Sequence, residues 1–327
     1  MKALLLGATG MIGGNLARAL TAQGITVRGL KRPNSPTRHL EDTPIEWRHG
    51  DLMDRPSLVA ALEGCQVLLH AAAYYPQNSY DLRGDLRTAI GGLRNVIAAA
   101  TEMGVQKMIY TSSLTTIGPP AEPDRLADER DEYLPGSSRS AYFEVKYALE
   151  IEVFRAVTAG LPAVIVNPTV VLGPGDIKPT TGALLVSVAR GQMPAWVPAM
   201  VNIVDVRDVA AAQVAALERG RVGERYILGG HNVSVQEALT LAATLAGVRP
   251  PRREVSLAWV ERLADLAEAV GRLPFISLPS MEHAKTMSRW QPLNTEKARR
   301  ELGLTPRPLE QTLKDALDWF RAHGYLA

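Results

Sequence analysis

The sequence holds a single cysteine, Cys65, among its 327 residues. That excludes a disulfide framework and a cysteine-rich zinc site. No apolar run approaches the ~18–20 residues that a membrane-spanning helix needs. The N-terminus, MKALLLGATG, meets glycine too early to hold the apolar core of a secretory signal, about 7–15 residues. Neither charge is in excess, with 36 Lys+Arg against 34 Asp+Glu and a formal net charge of +2. A nucleic-acid binder working by bulk charge is thereby excluded. His39, His49, His231, His283 and His323 are dispersed without metal-ligand spacing, and no metal is expected. These absences leave a cytoplasmic chain as the expectation. What is present is ordinary globular composition, 46% hydrophobic and 21% charged. At about 100–200 residues per domain, the length predicts one large α/β domain or two smaller ones.

Short apolar runs at 2–6, 25–30, 45–50, 67–73, 108–112 and 163–166 alternate with helical patterns at 12–23, 58–62, 86–103 and 142–159. Strands alternating with helices predict a parallel sheet covered on both faces. After Pro168 the texture changes. Residues 173–176 and 178–182 are loop chemistry, followed by helices at 182–191 and 206–219, a strand at 226–228 and three further helices.

Between the first strand and the first helix lies Gly7-Ala8-Thr9-Gly10-Met11-Ile12-Gly13. Glycine at a strand end permits a tight turn. A position without a side chain lets a pyrophosphate reach the backbone, and a third glycine lets helix and sheet pack closely. The helix N-terminus then offers free N–H groups and a positive dipole to phosphate. Opening the chain between a strand and an amphipathic helix, the turn predicts a dinucleotide site rather than an ordinary βα bend. The expected architecture is a Rossmann-type doubly wound parallel sheet over 1–168. Residues 200–222 would return to it, and a smaller, mainly helical substrate-binding part would occupy 169–327.

In its G-x-x-G-x-x-G spacing the turn resembles the short-chain dehydrogenase/reductase superfamily, in its extended NAD(P)-dependent epimerase/dehydratase branch. The resemblance implies roles for further residues. Asp51-Leu52 after the third strand matches the family's adenine-binding position. Ala71-Ala72-Ala73 matches its small-residue wall beside the cofactor. His70, just before that wall, reads as a packed strand histidine. Enzymes that use NAD usually place a carboxylate at the end of the second strand. This chain has Lys31-Arg32 there. Guanidinium suits phosphate oxygens, so NADP(H) is expected over NAD(H), with Arg32 as the main contact and Lys31 or Asn34 helping.

Tyr142 and Lys146 are four residues apart and share one face of a helix. An ammonium beside a phenol stabilises phenolate and lowers its pKa from about 10. Such a phenol can exchange a proton with a carbonyl oxygen while hydride moves at the carbon. Upstream, Tyr110-Thr111-Ser112-Ser113 ends a strand that should lie alongside. The family's serine pattern places its substrate-orienting hydroxyl on Ser113, with Ser112 as second candidate. The resemblance also makes Thr9, Met11, Ile12, Thr111, Pro168 and Thr169 expected cofactor contacts. Two positions depart from it: Val145 stands where many relatives have serine, and Thr88 where many have asparagine.

Relatives acting on nucleotide sugars carry polar groups at three positions to meet a diphosphate. Here two of those positions are Val170 and Val201, and Asp205 stands where a histidine is common. An unmatched buried diphosphate is costly. Asn167-Pro168-Thr169, the 173–180 loop and Gly223–Gly230 are more similar to the dihydroflavonol 4-reductase-like group. They are also similar to bacterial members labelled hopanoid-associated sugar epimerases. The expected activity is NADP(H)-dependent oxidoreduction of a ketone or aldehyde on a small apolar or polycyclic substrate. Its rivals are an NAD(P)-dependent sugar or nucleotide-sugar epimerase or dehydratase with transient hydride transfer, and a non-catalytic NADP sensor. Homodimerisation through the helices at 86–103 and 142–159 is left open. A stripe of Trp259, Leu263, Leu266 and Val270 over 257–273 reads as a helix capping the site mouth, with a lid or lipid surface as second reading.

Overall fold

The computed structural model describes all residues except 77–80, 123, 139, 180, 257, 258, 260, 261, 263–289 and 327. The proposed capping stripe lies outside the described residues apart from Trp259. The first half folds as β1 (Lys2–Leu6), α1 (Met11–Ala22), β2 (Thr26–Lys31), β3 (Ile45–His49), α2 (Arg55–Leu62), β4 (Val67–His70), α3 (Leu82–Glu102), β5 (Lys107–Thr111), α4 (Ala141–Thr158) and β6 (Ala163–Pro168). After it come β7 (Val170–Leu172), α5 (Gly182–Ala189), β8 (Ala195–Trp196), β9 (Met200–Asp205), α6 (Val206–Arg219) and β10 (Arg225–Leu228). The chain closes with β11 (His231–Ser234), α7 (Val235–Ala246), β12 (Arg253–Glu254), α8 (Glu296–Leu302) and α9 (Leu309–Ala322).

Seven strands form one parallel sheet in the order β10-β6-β5-β4-β1-β2-β3. Alternation within β1 shows why both faces are covered. Ala3 and Leu5 enter one core with α1 and α6, while Leu4 and Leu6 enter the other with α2, α3 and α4. Because β2 and β4 flank β1, the strand order reverses at β1, and a crevice opens beyond the strands' C-terminal ends. Helix α3 starts a turn earlier than its apolar pattern suggests, because the Asp81 side chain accepts from the Gly84 N–H and fixes the first turn.

The return to the sheet differs in detail from the sequence expectation. Strand β9 stays outside the main sheet, whereas α6 packs on α1 and β10 adds the seventh strand beside β6. Helix α8 packs on α6 and β10. The smaller part is not purely helical. Strands β7, β9 and β11 form a three-stranded sheet of their own, packed against α5, α7 and α9. A two-residue pairing joins β8 to β12.

Candidate active site

The glycine turn crosses the C-terminal end of β1 under tight steric control. Gly7 has φ +83°, and a Cβ there would lie 2.5 Å from the Ala72 nitrogen. A Cβ on Gly13 would lie 2.0 Å from the Gly7 carbonyl oxygen. Both obstacles are backbone. Gly13→Ala is therefore expected to cost about 1–3 kcal/mol of stability, read as a lowered midpoint in a thermal melt. Gly10 meets only the Gly7 oxygen, at 3.5 Å, and keeps an open side. No side chain caps α1 and no acid occupies its first turn, which leaves its positive end to a ligand.

A cleft of about 760 Å³ opens over this turn. It is lined by Gly7, Thr9, Gly10, Met11, Ile12 and Gly13, and by Arg32, Ala71, Ala72 and Ala73. Ser113, Tyr142, Pro168 and Thr169 line it too. A second cavity of about 450 Å³ shares Gly7, Thr9 and Arg32 with the first and adds Lys31, Asp51, Leu52 and Thr88. Lys31 stands 5.5 Å from the Trp47 ring, so its ammonium is partly engaged and Arg32 is the freer cation at the junction.

Thr111 does not join the cleft. Its hydroxyl donates to the Gln213 side chain of α6 at 3.0 Å, on the sheet face away from α4. Residues not singled out from the sequence do line it: Tyr75, whose ring lies 4.8 Å from that of Tyr142, and Asp176, Ile177 and Thr181. Burial raises Asp176 to about 6, opposed by a hydrogen bond from the Gly182 N–H. The loop carrying Asp176 is tied to α1, because Asn15 donates to both the Met11 and Pro174 carbonyls, at 3.0 and 2.9 Å. The Gly-Pro-Gly-Asp spacing was the available signal for this wall. Tyr75 sits in a loop with no periodicity to betray it.

Ser113, Tyr142 and Lys146 come together. The Ser113 and Tyr142 side chains share the cleft wall, and Ser113 acts on the Tyr142 phenol. Lys146 lies beneath, its ammonium 5.9 Å from the Tyr142 ring centroid and only 3% of the residue exposed. The electrostatics differ from the sequence expectation. Burial pushes the Tyr142 phenol above its ordinary value, against the opposing Ser113 hydrogen bond, and it drives Lys146 down to about 8. Desolvation penalises the charged form of both groups and outweighs the opposing help of Ser113 to Tyr142 and of Glu150 to Lys146. His70 is buried edge-on to Tyr110, and burial lowers it to about 4, so it stays neutral.

The pocket chemistry fits a dinucleotide. Two hydroxyls on its wall, Ser112 Oγ and Thr169 Oγ1, are buried and have no hydrogen-bond partner among the described residues, although buried polar groups nearly always have one. No cluster of metal-ligating side chains and no helix able to cross a membrane occurs among the described residues.

Comparison with known proteins agrees with this architecture. The model of the NAD dependent epimerase/dehydratase family matches residues 3–229. A Synechocystis sp. protein provisionally named dihydroflavonol 4-reductase is 39% identical, over 98% of this chain and 94% of its own. The sterol demethylase protein B of Methylococcus capsulatus is 31% identical over 100% of each. A solved structure from Pseudomonas aeruginosa, PA4631, described as a nucleoside-diphosphate-sugar epimerase, superposes with a TM-score of 0.85. It is 32% identical and covers 100% of this chain and 99% of that one. The chain belongs to the NAD dependent epimerase/dehydratase family, the extended branch of the NAD(P)-dependent short-chain dehydrogenases/reductases.

Proposed function

We propose that the protein is an NADP(H)-dependent oxidoreductase that interconverts a ketone or aldehyde with its alcohol on a small apolar or polycyclic substrate. One observation carries the reading: Ser113 and Tyr142 together at the wall of the glycine-turn cleft, above a buried Lys146. Bound nicotinamide supplies the hydride. The backbone of 7–13 would hold the pyrophosphate, with Arg32, helped by Lys31, for a 2′-phosphate. Asp51 and Leu52 would hold the adenine, Ala71, Ala72 and Ala73 would form the wall, and Pro168 and Thr169 would meet the nicotinamide side. Ser113 orients the carbonyl oxygen and Tyr142 gives it a proton. A phenol that burial keeps protonated suits the reducing direction. Lys146 grips the ribose hydroxyls and steadies the negative charge left on Tyr142.

The apolar side of the substrate reading rests on the valines. Val170 and Val201 are buried in the core of the smaller part, and Asp205 is held in an ion pair with Arg207 at 2.6 Å while capping α6. None of the three is offered to a diphosphate. A sterol in the name of one relative and a flavonol in that of another point the same way. The epimerase described at 32% identity keeps a second reading open. The two separate on NADPH consumption against a panel of apolar ketones and aldehydes. The reductase reading expects one NADPH oxidised per alcohol formed; a cofactor retained through purification with no net oxidation favours the epimerase. A sensor would bind NADPH and turn over nothing on the same panel.

The buried ammonium also fixes a pH dependence. With Lys146 held down at about 8, the reductase rate should fall through an alkaline limb near that pH as the ammonium is lost, instead of above 10 as for an exposed lysine. A pH profile of kcat/KM flat from about 7 to 9.5 would count against Lys146 acting as a cation.

A further inference from the structure

Beneath the trio lies a buried polar network that joins four elements. Glu150 is one helical turn beyond Lys146 on α4 and is 1% exposed. Its carboxylate accepts from Arg225 Nη1, Thr116 Oγ1 and Asn167 Nδ2, each at 2.8 Å. The last two also reach the main chain of Ser113. Thr116 Oγ1 lies 3.0 Å from its carbonyl oxygen, and Asn167 Nδ2 lies 3.2 Å from it. Arg225 arrives from β10, at the edge of the sheet, and donates its other terminal nitrogen to the Glu129 carbonyl. The pair is sealed from solvent, with side-chain exposures of 7% and 2%.

Burying two charges is weak evidence for stability, because apolar residues of similar volume often serve as well or better. The position of the pair is more telling. One branch of the network ends on the residue whose hydroxyl meets Tyr142, and the other ends one turn from Lys146. We infer that Glu150 and Arg225 are positioning residues for the carbonyl chemistry: through Asn167 and Thr116 they hold the Ser113 main chain, and through α4 they set a carboxylate beside the Lys146 ammonium. The inference rests on the proposed reductase reading of the trio.

The charges around Lys146 make the second branch specific. His70 faces it from β4 and is neutral, held at about 4. Tyr142 shares its helix, and Tyr110 from β5 faces Glu150 and Tyr142 with a phenol that burial pushes far up. Glu150 is the group that opposes the desolvation of the ammonium. Arg225 holds the Glu150 carboxylate in place through an ion pair at 2.8 Å.

The test is the double variant Glu150→Gln with Arg225→Met. Removing both charges avoids leaving either one buried alone, and the glutamine oxygen can still accept from Thr116 and Asn167. The variant should remain folded by circular dichroism and bind NADPH at pH 6.5 within about threefold of the wild type. Its kcat should fall about tenfold, and its alkaline limb should move to lower pH by about one unit. A folded double variant with wild-type kcat and an unshifted limb overturns the inference. Thr116→Val is the second variant, because it keeps every charge and removes one link to the Ser113 carbonyl. It should lower kcat about fivefold with the limb in place; wild-type kcat in this variant overturns the positioning path whatever the double variant does. Arg225→Lys, which keeps the charge, should retain the wild-type limb; a limb displaced as far as in the double variant counts against the charge branch. Turnover that does not depend on Tyr142 would sink the reductase reading itself. Tyr142-dependent turnover with indifferent network variants sinks only this inference.

Discussion

Tyr142→Phe is expected to lower kcat for carbonyl reduction by about 10²–10⁴-fold, the range that a positioned general acid supplies. NADPH binding should stay within about threefold, since the ring and its contact with Tyr75 remain and only one hydroxyl is lost. Ser113 would keep its hydrogen bond from the Thr115 N–H at 3.2 Å, so the serine should not wander. The measurement is single-turnover oxidation of NADPH beside a fluorescence titration of the same nucleotide. A phenylalanine variant that turns over at the wild-type rate refutes the acid role of Tyr142. A variant that loses nucleotide binding as well assigns the phenol to the cofactor instead.

The second large effect is expected at Arg32, which lies where the two cavities meet. A charged hydrogen bond to phosphate contributes about 1.5–3 kcal/mol. Arg32→Ala should therefore weaken NADPH by about 10–100-fold and leave NADH nearly unchanged. The measured quantity is the ratio of kcat/KM for the two nucleotides. The side chain is exposed and makes no core contact, so thermal stability should hold. Lys31→Ala should do less, because its ammonium already sits over Trp47. An Arg32→Ala enzyme with an unchanged nucleotide ratio would remove the basis for an NADP preference.

Features whose cause is local were legible in the sequence. The run Lys2–Leu6 followed by glycines, the four-residue spacing of Tyr142 and Lys146, and the cations after β2 each carry their physics within a few residues. Tertiary partners were not legible. Thr111 reads as a cofactor contact until Gln213, 102 positions later, takes its hydroxyl. The strand at 226–228 could be read from Tyr226, Ile227 and Leu228, yet nothing nearby says that it completes the main sheet beside β6. The sheet of the smaller part escaped because β7 is three residues long and β9 runs straight into a helix that its last residue caps. Tyr142 shows the same limit in energetic terms. The neighbouring ammonium is visible in the sequence, but the burial that raises the phenol belongs to the fold.

The late arrival of Arg225 bears on how the molecule is made. By residue 169 the ribosome has delivered the glycine turn, Arg32, Ser113, Tyr142 and Lys146. Glu150 at that stage lacks its ion-pair partner Arg225, and β6 presents an open edge to solvent. An unpaired edge strand beside a buried acid that lacks its arginine is a poor resting point for a nascent chain. The nucleotide-binding half must therefore wait for more than fifty further residues before it can close, so a fragment ending at Thr169 should aggregate even though it carries the whole trio.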